Sequence, residues 1–255
     1  MENKLLEGVK RKKEFSGLPD SIVKQVISDF ESNLSENEII KGARAKLRKY
    51  FGVFLTNKVV KPKFLEDYNS ILKSHISSSK RDYNNFYKKL LEGKKFDFVF
   101  DLGCGVNGFS FPYLVKENKN LKYVGLEASK ILVENMNKFF EFENYNAKAI
   151  WSNLLEFKEV RNSLELVKGS KCIFCFQVID ALEKIKRVSG SIFLENLLKM
   201  MSKKDLLIIS FPLSNLSGRR ELIVKRNWII NFLKDKAKFK EISMYEEKFL
   251  LIETL

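Results

Sequence analysis

Five short apolar runs recur along the chain after residue 95: FDFVF (96–100), LKYVGL (121–126), AKAIW (147–151), KCIFCF (171–176) and DLLIISF (205–211). Runs of this length without internal polar alternation are the mark of strands buried on both faces. Between them, apolar residues fall at helical spacing near 110–118, 129–142, 156–167 and 179–201. A buried strand followed by a helix and another buried strand predicts a parallel sheet with helices on both faces. A further helix near 219–234 precedes KFKEISMY (238–245) and KFLLIET (248–254), which are joined by too few residues for a crossover. Those two runs must pair antiparallel, so seven strands are expected, the last two as a hairpin.

The N-terminal part reads differently. Pro19 and Asp20 precede Ile22, Val23, Val26, Ile27 and Phe30 on one helical face, and Ile39, Ile40, Ala43, Leu47, Tyr50 and Phe51 define a second. Pro62 separates these from a further helical stretch around Tyr68 to Leu91. The chain carries 46 Lys+Arg against 32 Asp+Glu, a net charge of +14, and most of the excess lies before residue 95. Lys41, Arg44, Lys46, Arg48 and Lys49 interleave with the apolar positions of the second helix and form either a solvated face or an electrostatic footprint. Such a charge suits a long polyanion, whose condensed counterions are released on binding; nucleic acid leads and an anionic membrane surface trails. The division expected is a basic helical domain over 1–92 and a sheet domain over 93–255.

Several function classes are demoted by what the chain contains. No stretch approaches the roughly 18 apolar residues of a membrane span, and MENKLLEGVKRKKEF lacks the apolar run of a signal peptide, so a soluble cytoplasmic protein without a membrane partner is expected. Cys104, Cys172 and Cys175 cannot build a disulfide framework, and one histidine argues against a Ser-His-Asp triad or a His-rich metal site; no metal is expected. Cys172-x-x-Cys175 has a redox spacing, but in a strand residues three apart point to opposite faces, and buried packing is the better reading. His75 is expected to be structural, for example bonded to Ser77.

The segment FVFDLGCGVNGFS (98–110) carries the chemistry. Gly103, Gly105 and Gly108 spell G-x-G-x-x-G after a strand and before a helix, so a dinucleotide and S-adenosylmethionine both qualify. Asp101 discriminates: a carboxylate there would crowd a pyrophosphate but suits a ligand bearing an ammonium and a sulfonium. Glu127, at the end of the second strand, can accept both ribose hydroxyls of either cofactor. S-adenosylmethionine is the cofactor expected.

Four ordered stretches go beyond a motif. KGARAKLRKYFGVF (41–54), HISSSKR (75–81), DLGCGVN (101–107) and SFPLSNLSGRR (210–220) resemble, respectively, the basic helical segment, the H-x-S-x-x-x-R pattern, the glycine loop and the S-F-P-x-x-S-L-x-G-[RK] loop of the Arm/Rmt family of aminoglycoside-resistance enzymes. That family methylates N7 of a decoding-site guanine in 16S ribosomal RNA. The resemblance spans most of the chain and implies a Rossmann-like seven-stranded class I methyltransferase sheet with an N-terminal helical domain. It also implies that Arg81 holds the methionine carboxylate of the cofactor, with Gly103 and Gly105 along its path and Glu127 at the ribose. Asn153 stands where the family usually has an acid near the adenine, and its amide oxygen can still accept from an exocyclic amine. Cys104, Ala128, Leu154 and Gln177 complete the cofactor residues on this reading.

For the substrate, the resemblance implies 16S rRNA within the 30S subunit, met by Lys41, Arg44, Lys46, Arg48 and Lys49 and by Ser214, Arg219 and Arg220 of the loop after the fifth strand. Phe109, Phe111 and Tyr113 could stack on a flipped base but are also apolar positions of a packed helix. Guanine N7 has a lone pair outside the aromatic system and attacks a sulfonium methyl without losing a proton, so no general base is required. A monomer is expected. A methyltransferase acting on another RNA, such as tRNA, and a non-catalytic RNA-binding or assembly protein with the same fold are the competing classes.

Overall fold

In the computed structural model, residues 2–30, 33–51, 67–75, 77–213 and 227–255 are described. Among them six helices precede the sheet: α1 (Glu2–Lys10), α2 (Lys13–Ser16), α3 (Asp20–Ile27), α4 (Glu36–Tyr50), α5 (Tyr68–Ser74) and α6 (Tyr83–Leu91). The sheet comprises β1 (Phe98–Leu102), β2 (Lys122–Glu127), β3 (Ala147–Trp151), β4 (Lys171–Phe176), β5 (Leu206–Pro212), β6 (Ala237–Met244) and β7 (Glu247–Thr254). Its order is β3-β2-β1-β4-β5-β7-β6, with β1 to β5 parallel and β7 antiparallel to both of its neighbours. The hairpin turns on Tyr245 and Glu246, both left-handed at φ 54° and 60°, as a two-residue turn matched to strand twist requires. β7 takes the inner place because Phe249 to Ile252 are buried, whereas β6, with exposed Lys238, Lys240 and Glu241, can serve as the edge.

Interleaved with the strands run α7 (Phe111–Glu117), α8 (Lys130–Phe142), α9 (Lys158–Glu165), α10 (Val178–Ile185), α11 (Ser189–Met200) and α12 (Asn227–Lys234). One sheet face buries Val99, Cys172, Phe174, Ile208 and Phe249 against α7 and α8, and the other buries Phe100, Ile173, Cys175, Leu207 and Ile209 against α9 to α12. Cys172 and Cys175 therefore face opposite sides of β4, each fully buried, and serve packing as expected.

Two expectations change. The helix anticipated over 179–201 is two helices. The Glu183 carboxylate accepts the backbone N–H of Val188 at 2.8 Å and of Gly190 at 2.9 Å, which stops α10 and caps α11. Of the helix anticipated over 219–234, only the portion from residue 227 lies within the described residues. The boundary at residue 92 also shifts: Ile71, Leu72, Phe86, Tyr87 and Leu90 of α5 and α6 belong to the same apolar cluster as β1, β4 and β7. The separate N-terminal unit is α1 to α4, built on Leu5, Val9, Phe15, Val23, Val26, Ala43 and Leu47. Its long helix α4 starts at a reciprocal cap, with Ser35 Oγ accepting from Glu38 N and the Glu38 carboxylate from Ser35 N.

That unit is fastened over the ends of β2 and β3. The Trp151 indole N–H is shared between the carbonyls of Gly17 at 3.0 Å and Ala128 at 2.8 Å, and Lys130 N also donates to Gly17 O. Ile185 of α10 joins the unit's apolar core. Among the described residues no helix is long and apolar enough to cross a membrane.

Candidate functional site

β2 and β3 lie on one side of β1, while β4 and β5 lie on the other, so the loops leaving β1 and β4 part and open a cleft. Every residue singled out for the cofactor lines this cleft: Arg81, Asp101, Gly103, Cys104, Gly105, Glu127, Ala128, Asn153, Leu154 and Gln177. The loop after β1 needs glycine twice, since Gly103 and Gly105 sit at φ 71° and 53°. A Cβ on Gly103 would come within 2.7 Å of Val178 Cγ2, whereas one on Gly105 would meet nothing within 4 Å. The backbone at Gly105 is thus open to the cleft.

Two buried carboxylates flank that opening. Glu127 accepts the N–H of Gly105 at 2.9 Å and of Ser129 at 2.8 Å, which ties the glycine loop to the end of β2; burial nevertheless raises its pKa. Asp101 accepts from Asn107 Nδ2 at 2.7 Å and from the Tyr123 hydroxyl at 3.0 Å. Burial pushes its pKa up to about 6 against the opposing effect of those bonds.

Arg81 lies just before α6, its N–H donating to Ser78 O at the end of a turn, not on a helix as the sequence suggested. It is buried, and its guanidinium donates side-on to Glu247 from Nε at 2.8 Å and from Nη2 at 2.9 Å. Nη1 donates to Asn107 Oδ1 at 3.2 Å, and the rings of Phe86 and Phe176 lie 5.1 and 4.9 Å from its central carbon. Burial alone would lower the Arg81 pKa, but Glu247 and Tyr83 together outweigh it and raise the pKa. His75 accepts or donates at Nδ1 with Ser77 Oγ at 2.8 Å, the structural contact expected, and burial followed by the Arg81 charge lowers its pKa to about 4.

The opposite wall comes from the N-terminal unit through Ile22 and Phe51. Asn153 faces that wall in a way the sequence did not suggest. Its amide oxygen accepts from Leu155 N at 3.0 Å, and its amide nitrogen donates to Ser21 Oγ on α3 at 2.9 Å. The oxygen assigned to an incoming amine is already engaged, with one lone pair left. Gln177, left-handed at φ 60°, turns the chain out of β4 into α10 and donates its N–H to Ser210 O.

The five cations of α4 are not all free, contrary to expectation. Arg44 donates to the carbonyls of Gly8 and Val9, Lys46 pairs with Asp29 and Arg48 with Glu14. Lys41 and Lys49 are exposed, and no ion pair involves them among the described residues. Phe109 and Phe111 are fully buried and cannot stack on a base; Tyr113 is half-buried and donates to Asn69. Ser214, Arg219 and Arg220 lie outside the described residues. Among those described, no group of three or more His, Cys, Asp or Glu is placed to hold a metal.

Sequence reasoning missed Glu247, Ser21, Ile22 and Phe51. Glu247 had a faint signal, a charged residue opening a run of buried apolar ones. Ser21 and Ile22 had none, since nothing local shows which helix will roof a distant cleft.

No family model matches the sequence. A curated protein from Proteus mirabilis, a 16S rRNA (guanine(1405)-N(7))-methyltransferase, is 24% identical over 168 residues, or 65% of this chain. The chain spans only 56% of the length of that relative. Among solved structures, the 16S rRNA methylase RmtB aligns over 100% of this chain and 99% of its own at 16% identity with a TM-score of 0.76. An rRNA methylase from Escherichia coli does so over 100% of both chains at 17% and 0.76. The 16S rRNA methyltransferase RmtF, in complex with S-adenosyl-L-homocysteine, aligns over 100% of this chain and 98% of its own at 18% and 0.78. The fold is that of a Rossmann-like class I methyltransferase, and the likeness extends through the N-terminal helices.

Proposed function

We propose that the chain is an S-adenosylmethionine-dependent RNA methyltransferase that modifies N7 of a decoding-site guanine in 16S rRNA, acting on the assembled 30S subunit in the cytoplasm. The observation that carries this reading is the meeting of Arg81, Asp101, Glu127 and Gln177, from four separate segments, at the carboxyl ends of β1, β2 and β4. The relatives described above support the substrate class, and the net charge of +14 supports a polyanionic partner.

The residues present fit the cofactor. Open space over Gly105 admits a ligand against the backbone, Glu127 has acceptor capacity beyond its two N–H partners, and Arg81 supplies a fixed cation for a carboxylate. Asp101 adds negative charge suited to an ammonium or sulfonium group. When bound, S-adenosylmethionine supplies an electrophilic methyl group. Leu132, Leu154 and Val178 give the cleft apolar walls, and Ile22 and Phe51 line it from the N-terminal side, an environment that favours exclusion of water once cofactor and substrate are bound. N7 arrives with its lone pair available, and no residue of the chain has to remove a proton.

RNA docking rests, on this reading, on α1 to α4, with Lys41 and Lys49 meeting phosphate and Arg48 able to exchange Glu14 for it. Ser214, Arg219 and Arg220 are assigned to the target nucleotide, because β5, which precedes them, is parallel to β1 and ends at the same side of the sheet as the glycine loop. The test is radiolabelled methyl transfer from S-adenosylmethionine to purified 30S subunits, protein-free 16S rRNA and tRNA, followed by mapping of 7-methylguanine. Label confined to one decoding-site guanine of 30S subunits is expected. Label in tRNA would move the substrate, and cofactor binding without transfer to any cellular RNA would make the chain an RNA-binding protein.

A further inference from the structure

The terminal hairpin is far from the glycine loop in sequence, yet one of its carboxylates ends beside the cleft. Glu247, 4% exposed, opens β7 and is 166 positions from Arg81, to which it is joined by two hydrogen bonds. It does not itself line the cleft, while Arg81, Asp101 and Asn107 do.

The guanidinium of Arg81 is held by two aromatic rings and by hydrogen bonds to three side chains. Phe86 and Phe176 lie near its central carbon, and Glu247 takes the Nε/Nη2 edge in the side-on bidentate geometry. The Nη1 corner reaches Asn107 Oδ1, whose own amide nitrogen donates to Asp101 Oδ2. Glu247, Asn107 and, from Nη1 at 3.4 Å, the Tyr83 hydroxyl take four of the five guanidinium N–H groups, which leaves one on Nη2. The Glu247 carboxylate is held in turn by Ser210 Oγ, which donates to Oε2 at 2.9 Å. A cation gripped along one edge by Glu247 can offer only the other.

We infer that Glu247, with Ser210 behind it, is a positioning residue that aims the remaining edge of Arg81 at the carboxylate end of the cofactor, so that the β6–β7 hairpin forms part of the cofactor site. This rests on the reading of the cleft given above. Glu247 touches neither cofactor nor substrate and acts through Arg81. A carboxylate beside a carboxylate-binding arginine would otherwise be counterproductive, because it cancels charge; fixing direction is the role that justifies it. The neutralised pair also lets the site hold its cation while buried, where an unpaired guanidinium would be costly.

The experiment is calorimetric binding of two probes to the full chain: S-adenosylhomocysteine, which carries the amino-acid end, and 5′-methylthioadenosine, which lacks it. Glu247→Gln is expected to weaken S-adenosylhomocysteine by about 10-fold or more and to leave 5′-methylthioadenosine within about twofold of wild type. Ser210→Ala, a milder disturbance of the same carboxylate, is expected to weaken S-adenosylhomocysteine by a smaller factor with the same selectivity, and it carries the test alone if Glu247→Gln does not melt cooperatively. Glu247→Asp, which restores the charge, should recover part of the loss. Equal weakening of both probes, or no weakening of either in a folded variant, overturns the inference and leaves the cofactor assignment intact. Failure of the wild-type chain to bind either probe overturns that assignment itself.

Discussion

Ser21 of α3 accepts a hydrogen bond from the side-chain amide of Asn153 at 2.9 Å, across the seam between the N-terminal helices and the loop after β3. Asn153, Ile22 and Phe51 all line the cleft, so the helical unit supplies one of its walls. On the reading proposed above, a module that roofs the cofactor site and also carries the exposed Lys41 and Lys49 couples two tasks that the sequence presented as separate.

Ser21→Ala is the mild test of that coupling. Loss of one neutral hydrogen bond costs about 1 kcal/mol, and the expected result is a fall in Tm of about 2–4 °C with a reduction in S-adenosylhomocysteine affinity of up to about 5-fold. Unchanged affinity would show that the seam does not report to the cleft.

Glu127→Ala should have the largest effect on the cofactor. A carboxylate accepting two charge-assisted hydrogen bonds contributes roughly 2–3 kcal/mol, so binding of S-adenosylhomocysteine should weaken by about 30- to 150-fold in calorimetry. The variant also frees Gly105 N and Ser129 N, so faster amide exchange at both is expected alongside. NADH should not bind the wild-type chain at this site.

The basic residues of α4 should separate into two groups. Arg44→Ala removes donors to the carbonyls of Gly8 and Val9 and should destabilise the chain by about 1–3 kcal/mol in denaturant melts. Lys41→Ala combined with Lys49→Ala should leave Tm unchanged, weaken binding to 30S subunits and flatten the dependence of log K on log salt, by about one unit of slope for each phosphate no longer neutralised. Wild-type salt dependence in the double variant would assign the docking surface elsewhere.

Asp101 and His75 should pull stability in opposite directions with pH. Burial holds the Asp101 pKa near 6, above its unfolded value, so the native state binds the extra proton and stability falls as pH rises from about 4 to 6. Burial holds His75 near 4, below its unfolded value, so its contribution is full above about 6.5 and is lost as pH falls toward 4. In Tm measured across pH 4–7, Asp101→Asn should therefore show a steeper rise with pH than wild type, and His75→Asn a shallower one. Parallel curves for all three proteins would refute the assignment.

What the sequence revealed, and what it did not, follows from the range of the interactions. Strand identity was legible because FVFDL and KCIFCF are buried on both faces and need no alternation. The glycine loop was legible because φ above zero at Gly103 and Gly105 is a local demand. The turn at Lys186 to Val188 was not, because it depends on Glu183 reaching forward to Val188 and Gly190, a choice that helical periodicity cannot register. The membership of α5 and α6 in the sheet core was hidden for a related reason: amphipathic spacing shows that a helix has an apolar face, not which surface that face will meet. Asn153 lines the cleft, but its partner Ser21 belongs to a helix 132 positions earlier.

The placement of β7 between β5 and β6 has a further consequence for how the chain is made. Synthesis is vectorial, and Arg81 leaves the ribosome long before Glu247. Until the hairpin has been translated, β5 has a bare edge and Arg81 has no counter-ion, so the wall of the cleft that holds it cannot settle. The parallel strands can assemble early, but a nascent chain halted within β6 would expose that edge and carry an unneutralised arginine among aromatic rings, and it should be recognised by chaperones or proteases as unfinished. On the reading of Arg81 proposed above, cofactor capture is in this way deferred to the last step of folding.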